Sequence, residues 1–315
     1  MINLFHIPNY KVDTSKFNNM IHGDIVDEFT ENFCKYVGVK YGCPVDCCTN
    51  AIYLVVREYT TNKYNVPTIM TPVVPQAFIN AGTDFTYIDD TDWVGHAYYL
   101  SQDVKGFDII DSAQEVQHRT WGFNDIVVYS FYPTKPVGSS DGGMICSNNK
   151  KVIDYFRTVS VQGTRKDNSS WNGRRYVGVG WKMYLNSFQA YIANENLKKL
   201  DEKKEALQKV CATYNDAFAL DNFGHHLYRI RVRDNVEFLK YMKQNGICCG
   251  IHYECCHNMR NGIGPILPDT PKTKTLLKSE QEEQHTASIP FHEKLTPNEI
   301  NKVIQCVKAY GLLAN

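Results

Sequence analysis

The run Ile126-Val-Val-Tyr129 and the stretch after it constrain this chain more than any other segment. Four β-branched or aromatic residues in a row read as a buried strand. Ser130-Phe-Tyr-Pro133-Thr-Lys135-Pro136 follows, and then a segment with Gly138, Gly142 and Gly143. The two prolines end regular structure and the glycines keep the chain in a loop. A lysine is thereby fixed at the end of a buried strand. Burial disfavours an ammonium and lowers its pKa, which suits an amine nucleophile. An exposed loop can also carry a lysine, so Lys135 needs partners before it signifies chemistry.

The surrounding pattern predicts where such partners lie. Asp24 to Val37 has apolar residues four apart at Ile25, Phe29, Phe33 and Val37, with Gly38 as a stop, which predicts an amphipathic helix. Thr49 to Tyr59 reads as a second helix, with Asp46 to Thr49 at its start. Thr86–Asp89, Ala97–Leu100 and Phe107–Asp111 read as strands, the last ending on an acid. Strands alternating with helices predict an α/β fold with a mostly parallel sheet. Such sheets bind ligands at the carboxyl ends of their strands, where Asp111 and Lys135 both fall.

Leu185 to Ala219 reads as one long helical stretch, after which the pattern changes. Leu227–Val232 alternates like a half-buried antiparallel strand, and Val236–Gln244 is a helix stopped at Gly246. Thr296 and Glu299 form a capping box for a helix over Pro297–Tyr310. These signals predict a large domain over residues 1–215 and a small α+β domain over residues 216–315. Pro265 to Gln284 is polar and reads as a surface excursion.

Charge narrows the function classes. Lys plus Arg and Asp plus Glu are 34 each, so no basic field points to nucleic acid. No apolar run is long enough for a membrane span, and the first residues lack the pattern of a secretory leader. A cytoplasmic protein is the expectation. Eleven cysteines in a chain of this length and setting argue for reduced thiols rather than a disulfide framework. The dense cluster Cys248-Cys249…His252…Cys255-Cys256-His257 has zinc-type ligands but lacks the Cys-x2-Cys spacing, so no metal is expected.

Four pieces then line up: a helix start at Cys48-Thr49-Asn50, Asp111, Gln114 and Lys135. Ser130-Phe-Tyr-Pro-Thr-Lys135, Asp141-Gly-Gly143 and Ile110-Asp-Ser-Ala-Gln114 are each written almost as in one family. Tyr36–Tyr41, Cys48–Ile52, Asn186–Ala190, Gly250–Tyr253 and Ser288–His292 match it too, in order. The chain resembles the DegT/DnrJ/EryC1/StrS sugar aminotransferases, fold-type I pyridoxal-phosphate enzymes. The resemblance implies that Lys135 carries the cofactor as a Schiff base and moves the substrate proton. It implies that Asp111 pairs with the pyridine nitrogen and that Gln114 lies beside the ring. Cys48, Thr49, Asn50 and Ser130 are implied to bind the phosphate.

It further implies a homodimer with shared sites, in which Lys182 takes the place of a phosphate-binding asparagine. His252, Tyr253 and His257 are implied on the substrate side, and His225, His226 and Arg229 are candidates for an anionic substrate group. The implied reaction moves an amine from glutamate to a nucleotide-linked keto sugar, C3 favoured slightly over C4. A catalytically silent cofactor-binding protein and a sugar dehydratase are the alternatives. Two departures stand out. The segment before Gly82 offers Val74, Gln76 and Phe78, but no aromatic at the place where relatives stack one on the ring. The large domain also lacks a strand-helix unit before the Asp111 strand, so a trimmed sheet is expected.

Overall fold

In the computed structural model, residues 1–60, 64–166, 174–258 and 275–313 are described. The first half runs α1 (Asp24–Val37), β1 (Tyr41–Val45), α2 (Cys48–Glu58), β2 (Asn65–Pro67), α3 (Val73–Ala81) and β3 (Thr86–Ile88). It continues with β4 (Tyr98–Val104), β5 (Phe107–Asp111), β6 (Asp125–Ser130), β7 (Gly143–Ser147) and α4 (Lys150–Val159). Then come β8 (Thr164–Lys166), β9 (Arg174–Tyr176), α5 (Ser187–Leu197) and α6 (Leu200–Phe218). The last elements are β10 (Tyr228–Arg231), α7 (Asn235–Gln244), α8 (Leu277–His285), β11 (Thr286–Ile289) and α9 (Pro297–Tyr310).

The fold is α/β, built on a five-stranded sheet in the order β1-β7-β6-β5-β4. β5 and β6 pair in parallel, and β1 runs in their direction on the far side of β7. This is the parallel set that the alternation predicts. β7 and β4 run against it, so the sheet is mixed. The reason lies in the connections, because parallel neighbours need a crossover of a dozen or more residues. β4 turns directly into β5 through Lys105 and Gly106, both at positive φ (51° and 82°), as a two-residue hairpin turn requires. β6 returns to β7 through the loop that carries Lys135, with no helix between them. β2 and β3 form a separate parallel pair, and the sheet is short as expected.

Helix α1 follows its pattern, with Phe29, Phe33 and Val37 fully buried and Gly38 at φ +83° as the stop. Phe131 stands 5.0 Å from the rings of both Phe29 and Phe33. The residue just past β6 is therefore anchored in the second of three apolar cores. Burying a phenylalanine contributes about 1.5–3 kcal/mol, which here secures the entry to the Lys135 loop.

Three expectations need revision. Leu185–Ala219 is two helices, α5 and α6. Leu197 and Leu200 serve the second core, whereas Leu207, Val210, Tyr214 and Phe218 serve the third, and the break redirects the chain between them. Residue 215 lies inside α6, and Ile2 packs into the same third core. Helix α2 starts at Cys48 with Cys47 as its N-cap, so Thr49 lies in the first turn. Part of Pro265–Gln284 lies outside the described residues. The rest forms α8, which is docked rather than excursive: Ser279 N and Oγ donate to Asp89, and Glu283 Oε1 accepts from Cys255 N.

Candidate active site

The parallel pair β5 and β6 brings the site together. Asp111 ends β5 opposite Val128, and Ser130 ends β6. The loop after Ser130 is tied down along its length. Lys135 N donates to Tyr132 O at 2.9 Å, Ser139 N to Phe131 O at 2.7 Å and Ser139 Oγ to Gln189 O at 2.7 Å. From α5 and α6, Asn196 Nδ2 and Lys203 Nζ donate to the carbonyls of Gly138 and Pro136. A lysine on so constrained a loop gives up little further freedom on engaging a ligand.

The Lys135 residue is partly exposed, but its amine is enclosed near Asp111, Cys48 and His226. Burial lowers its pKa, and the charge of Asp111 opposes the shift. Asp111 is only 3% exposed. Its Oδ1 accepts from Ala113 N and its Oδ2 from the Tyr98 hydroxyl, both at 2.8 Å. Burial raises its pKa, while those two donors and Lys135 pull it back. Gln114 is held at both ends. Its Oε1 accepts from Gly95 N at 2.8 Å, and its Nε2 donates to the Tyr253 hydroxyl at 2.9 Å.

The N-terminus of α2 faces this pair. Its first internal bond is Ala51 N to Cys47 O, so the N–H groups of Cys48, Thr49 and Asn50 have no acceptor within the helix. Gly143, which begins β7 opposite Ser130, permits the approach. A Cβ there would lie 2.8 Å from Cys48 N and 2.9 Å from Cys47 C. Ser130 Oγ accepts from Tyr132 N at 3.3 Å. The Asn50 side chain turns away and donates to Asp46 Oδ1, while the backbone N–H groups of Asn50 and Thr49 approach the Cys47 sulfur. The Cys48 thiol is buried, and burial holds it protonated.

An arc of aromatic rings closes the other side, running from Asp111 to Lys135. Tyr98, bound to Asp111, packs 4.5 Å from Trp93, and Trp93 lies parallel to Tyr253 at 6.0 Å. Tyr253 meets His252, His252 meets Phe5, and Phe5 stacks on His226 at 5.6 Å. His226 Nε2 is 3.5 Å from Lys135 Nζ. Burial, then the Lys135 charge, keeps His226 neutral and holds His252 down at about 4. The sequence singles out His226, His252 and Tyr253, but not Phe5, Trp93 or Tyr98. Tyr98 had a signal, since it lies in the predicted strand Ala97–Leu100, just before the Asp111 strand. Trp93 and Phe5 lie in irregular segments without periodicity.

Other sequence candidates sit elsewhere. His257 is engaged by Thr68 Oγ1 at 2.7 Å and by Glu280 at 3.3 Å. His225 lies among Lys204 and Glu115 rather than beside Lys135. Lys182 is exposed and pairs through its backbone with Val161. Phe78 is spent in the core against Tyr64 and Phe85, Gln76 is exposed, and Val74 is a core aliphatic. All eleven cysteines are free thiols. Among the described residues no group of three His, Cys, Asp or Glu could hold a metal ion.

These residues suit pyridoxal phosphate. A carboxylate stands at the strand end for the ring nitrogen, and an enclosed amine faces it. Three backbone donors and a hydroxyl stand where only a glycine fits between β7 and α2. Among the described residues the Trp93 indole N–H, buried in the aromatic arc beside Tyr98 and Tyr253, meets no acceptor. Residues 109–308 match the DegT/DnrJ/EryC1/StrS aminotransferase family. A UDP-4-amino-4,6-dideoxy-N-acetyl-β-L-altrosamine transaminase of Campylobacter jejuni is 24% identical over 67% of this chain and 66% of its own length. The spore coat polysaccharide biosynthesis protein SpsC of Bacillus subtilis is 22% identical over 91% of this chain and 89% of its own. Among solved structures, the aminotransferase TlmJ of Streptoalloteichus hindustanus superposes with a TM-score of 0.82 at 18% identity, covering 98% of each chain. The sugar aminotransferase CalS13 of Micromonospora echinospora gives 0.81 at 16% identity, over 98% of this chain and all of its own. This chain belongs to the DegT/DnrJ/EryC1/StrS aminotransferase family, whose cofactor is pyridoxal phosphate.

Proposed function

We propose that the protein moves an amino group from glutamate to a keto group of a nucleotide-linked deoxysugar. The observation that carries this reading is the enclosed Lys135 amine facing Asp111 and neutral His226. Pyridoxal phosphate, when bound, supplies an electron sink for the carbon that bears the amine. Lys135 Nζ would hold the cofactor covalently and, once freed, carry the proton to and from the substrate carbon. His226 Nε2, held neutral and within reach of that nitrogen, can orient it by a hydrogen bond. Asp111 would hold a proton on the ring nitrogen. Cys48, Thr49 and Asn50 would bind the phosphate through their N–H groups, with Ser130 Oγ beside them. Gln114 and Tyr253 would bound the ring on its other edge.

Arg229 supports a carboxylate-bearing donor. It lies opposite Ser288 on the β10–β11 ladder, and Ser288 Oγ is 2.9 Å from His252 Nδ1. Its guanidinium donates to Glu282 at 3.0 Å and leaves Nε without an acceptor. The His252-Tyr253 loop supports a C3 acceptor. The 4-amino sugar in the name of the Campylobacter relative supports C4 as the second reading.

A homodimer with shared sites is part of the proposal. A cavity of about 1140 Å³ lies away from Lys135 and is lined in part by Arg157, Val161, Val177, Val179 and Tyr184. Val179 is 87% exposed there, close in sequence to Lys182. A second copy seated on this face would bury Val179 and bring Lys182 toward a neighbouring phosphate. Val179→Asp is expected to yield monomers in sedimentation; a stable dimer would count against this face. Among the described residues no helix is long and apolar enough to cross a membrane, and we place the protein in the cytoplasm.

The test is an assay of the cofactor-loaded protein with glutamate and paired 3-keto and 4-keto nucleotide sugars. Transfer to one of them identifies the acceptor. A visible absorption that glutamate leaves unchanged would favour a silent cofactor-binding protein.

A further inference from the structure

We infer that Tyr98 is a positioning residue for Asp111, its hydroxyl fixing the carboxylate that meets the cofactor's ring nitrogen. The inference rests on the cofactor site described above. Its origin is the β4–β5 hairpin. A regular ladder continued from the Val104–Phe107 pair would set Leu100 opposite Asp111. Two register shifts in β4 move the ladder by two residues and set Tyr98 there instead. A shift of two keeps the same face, so the phenol and the carboxylate project side by side. The hydroxyl donates to Oδ2 at 2.8 Å, while Ala113 N occupies Oδ1. Both residues are buried, Tyr98 at 7% and Asp111 at 3% exposure. Trp93, packed on Tyr98, fixes its ring.

The chemistry follows from the type of donor. Burial favours a neutral Asp111, and a neutral carboxyl would hold a protonated ring nitrogen poorly. A phenol adds a hydrogen bond to the anion without adding a charge, so the ring-nitrogen proton has no competing cation. The titratable groups around Asp111 are Lys135 from the β6–β7 loop, Cys48 from α2, Tyr98 from β4 and Tyr253 from the segment after α7.

The experiment titrates apoprotein with pyridoxal phosphate, following visible absorption across pH, for wild type, Tyr98→Phe, Asp111→Asn and the double variant. Circular dichroism checks that each is folded. Tyr98→Phe is expected to weaken cofactor binding roughly tenfold, the usual consequence of losing a hydrogen bond to a charged group. Its acid limit of binding is expected to move to higher pH, because the carboxylate takes up a proton sooner. In the Asp111→Asn background the same substitution is expected to change nothing further. Wild-type affinity and acid limit in Tyr98→Phe would overturn the inference, and so would an equal loss in both backgrounds. Should the phenylalanine variant not fold, Tyr98→Met is read in the same way. Full affinity in Asp111→Asn would overturn the assignment of Asp111 itself, a different failure.

Discussion

Arg229 shows how one side chain can be tested apart from the rest of the site. It is a cation close enough to His252 and Tyr253 to act on both, and its charge lowers the pKa of His252 after burial and Lys135 have done so. If it receives the donor carboxylate, Arg229→Met is expected to raise the glutamate KM about tenfold, the loss of a charge-assisted contact. The KM for a donor without the second carboxylate moves less if that group is the one recognised. The KM for the sugar nucleotide stays in place. A change confined to the sugar nucleotide KM would assign Arg229 to the diphosphate. An unchanged profile would leave Arg229 only its ion pair with Glu282 at 3.0 Å. Residues of this kind are hard to find in a sequence. Asp111 ends a strand and Lys135 follows one in a Pro- and Gly-rich loop, whereas Arg229, named from the sequence only as a candidate for an anionic group, gains its place beside His252 through the Ser288 pairing.

At the level of elements, the site depends on close approach between β7 and the start of α2. Gly143→Ala puts a methyl group 2.8 Å from Cys48 N, against backbone that cannot swing aside. Overpacking of this kind costs about 1–3 kcal/mol, and here it also displaces the proposed phosphate donors. The expected result is a lower melting temperature in the apoprotein together with weakened pyridoxal phosphate binding. Undiminished binding would show that the α2 N-terminus is not the phosphate site. The glycine pair was legible in the sequence, but its purpose was not, because the contact joins residues almost a hundred positions apart. The two strands that run against the parallel set were hidden for a similar reason. Alternating strands and helices suggest crossovers, yet Lys105-Gly106 makes a hairpin and the Lys135 loop makes a direct return. That hairpin also delivers Tyr98, which no local pattern ties to Asp111.

Across the whole molecule, the site is a local cost to stability. Asp111 has its pKa raised by burial, so the folded state binds its proton more tightly than the unfolded state does. Its contribution to stability is lost as pH rises from the usual carboxylate range through the raised value. Lys135 has its pKa lowered by burial, so its cost is present at low pH and relieved only as pH rises from the lowered value toward the usual ammonium range. Both costs operate at neutral pH. Asp111→Asn combined with Lys135→Met is therefore expected to leave the apoprotein at least as stable as wild type, and up to about 4 kcal/mol more stable. Denaturant melts of the two apoproteins at neutral pH check this, and clear destabilisation of the double variant would refute it.

The proposed attachment of the cofactor to Lys135 in an amino-transfer reaction can be tested at the level of the covalent bond. The protein is loaded with pyridoxal phosphate, reduced with borohydride, digested and mapped by mass spectrometry, with and without prior glutamate. A single pyridoxyl label is expected on the peptide containing Lys135, largely lost when glutamate comes first. A label on a different lysine, or equal labelling of Lys135 in both samples, would contradict it.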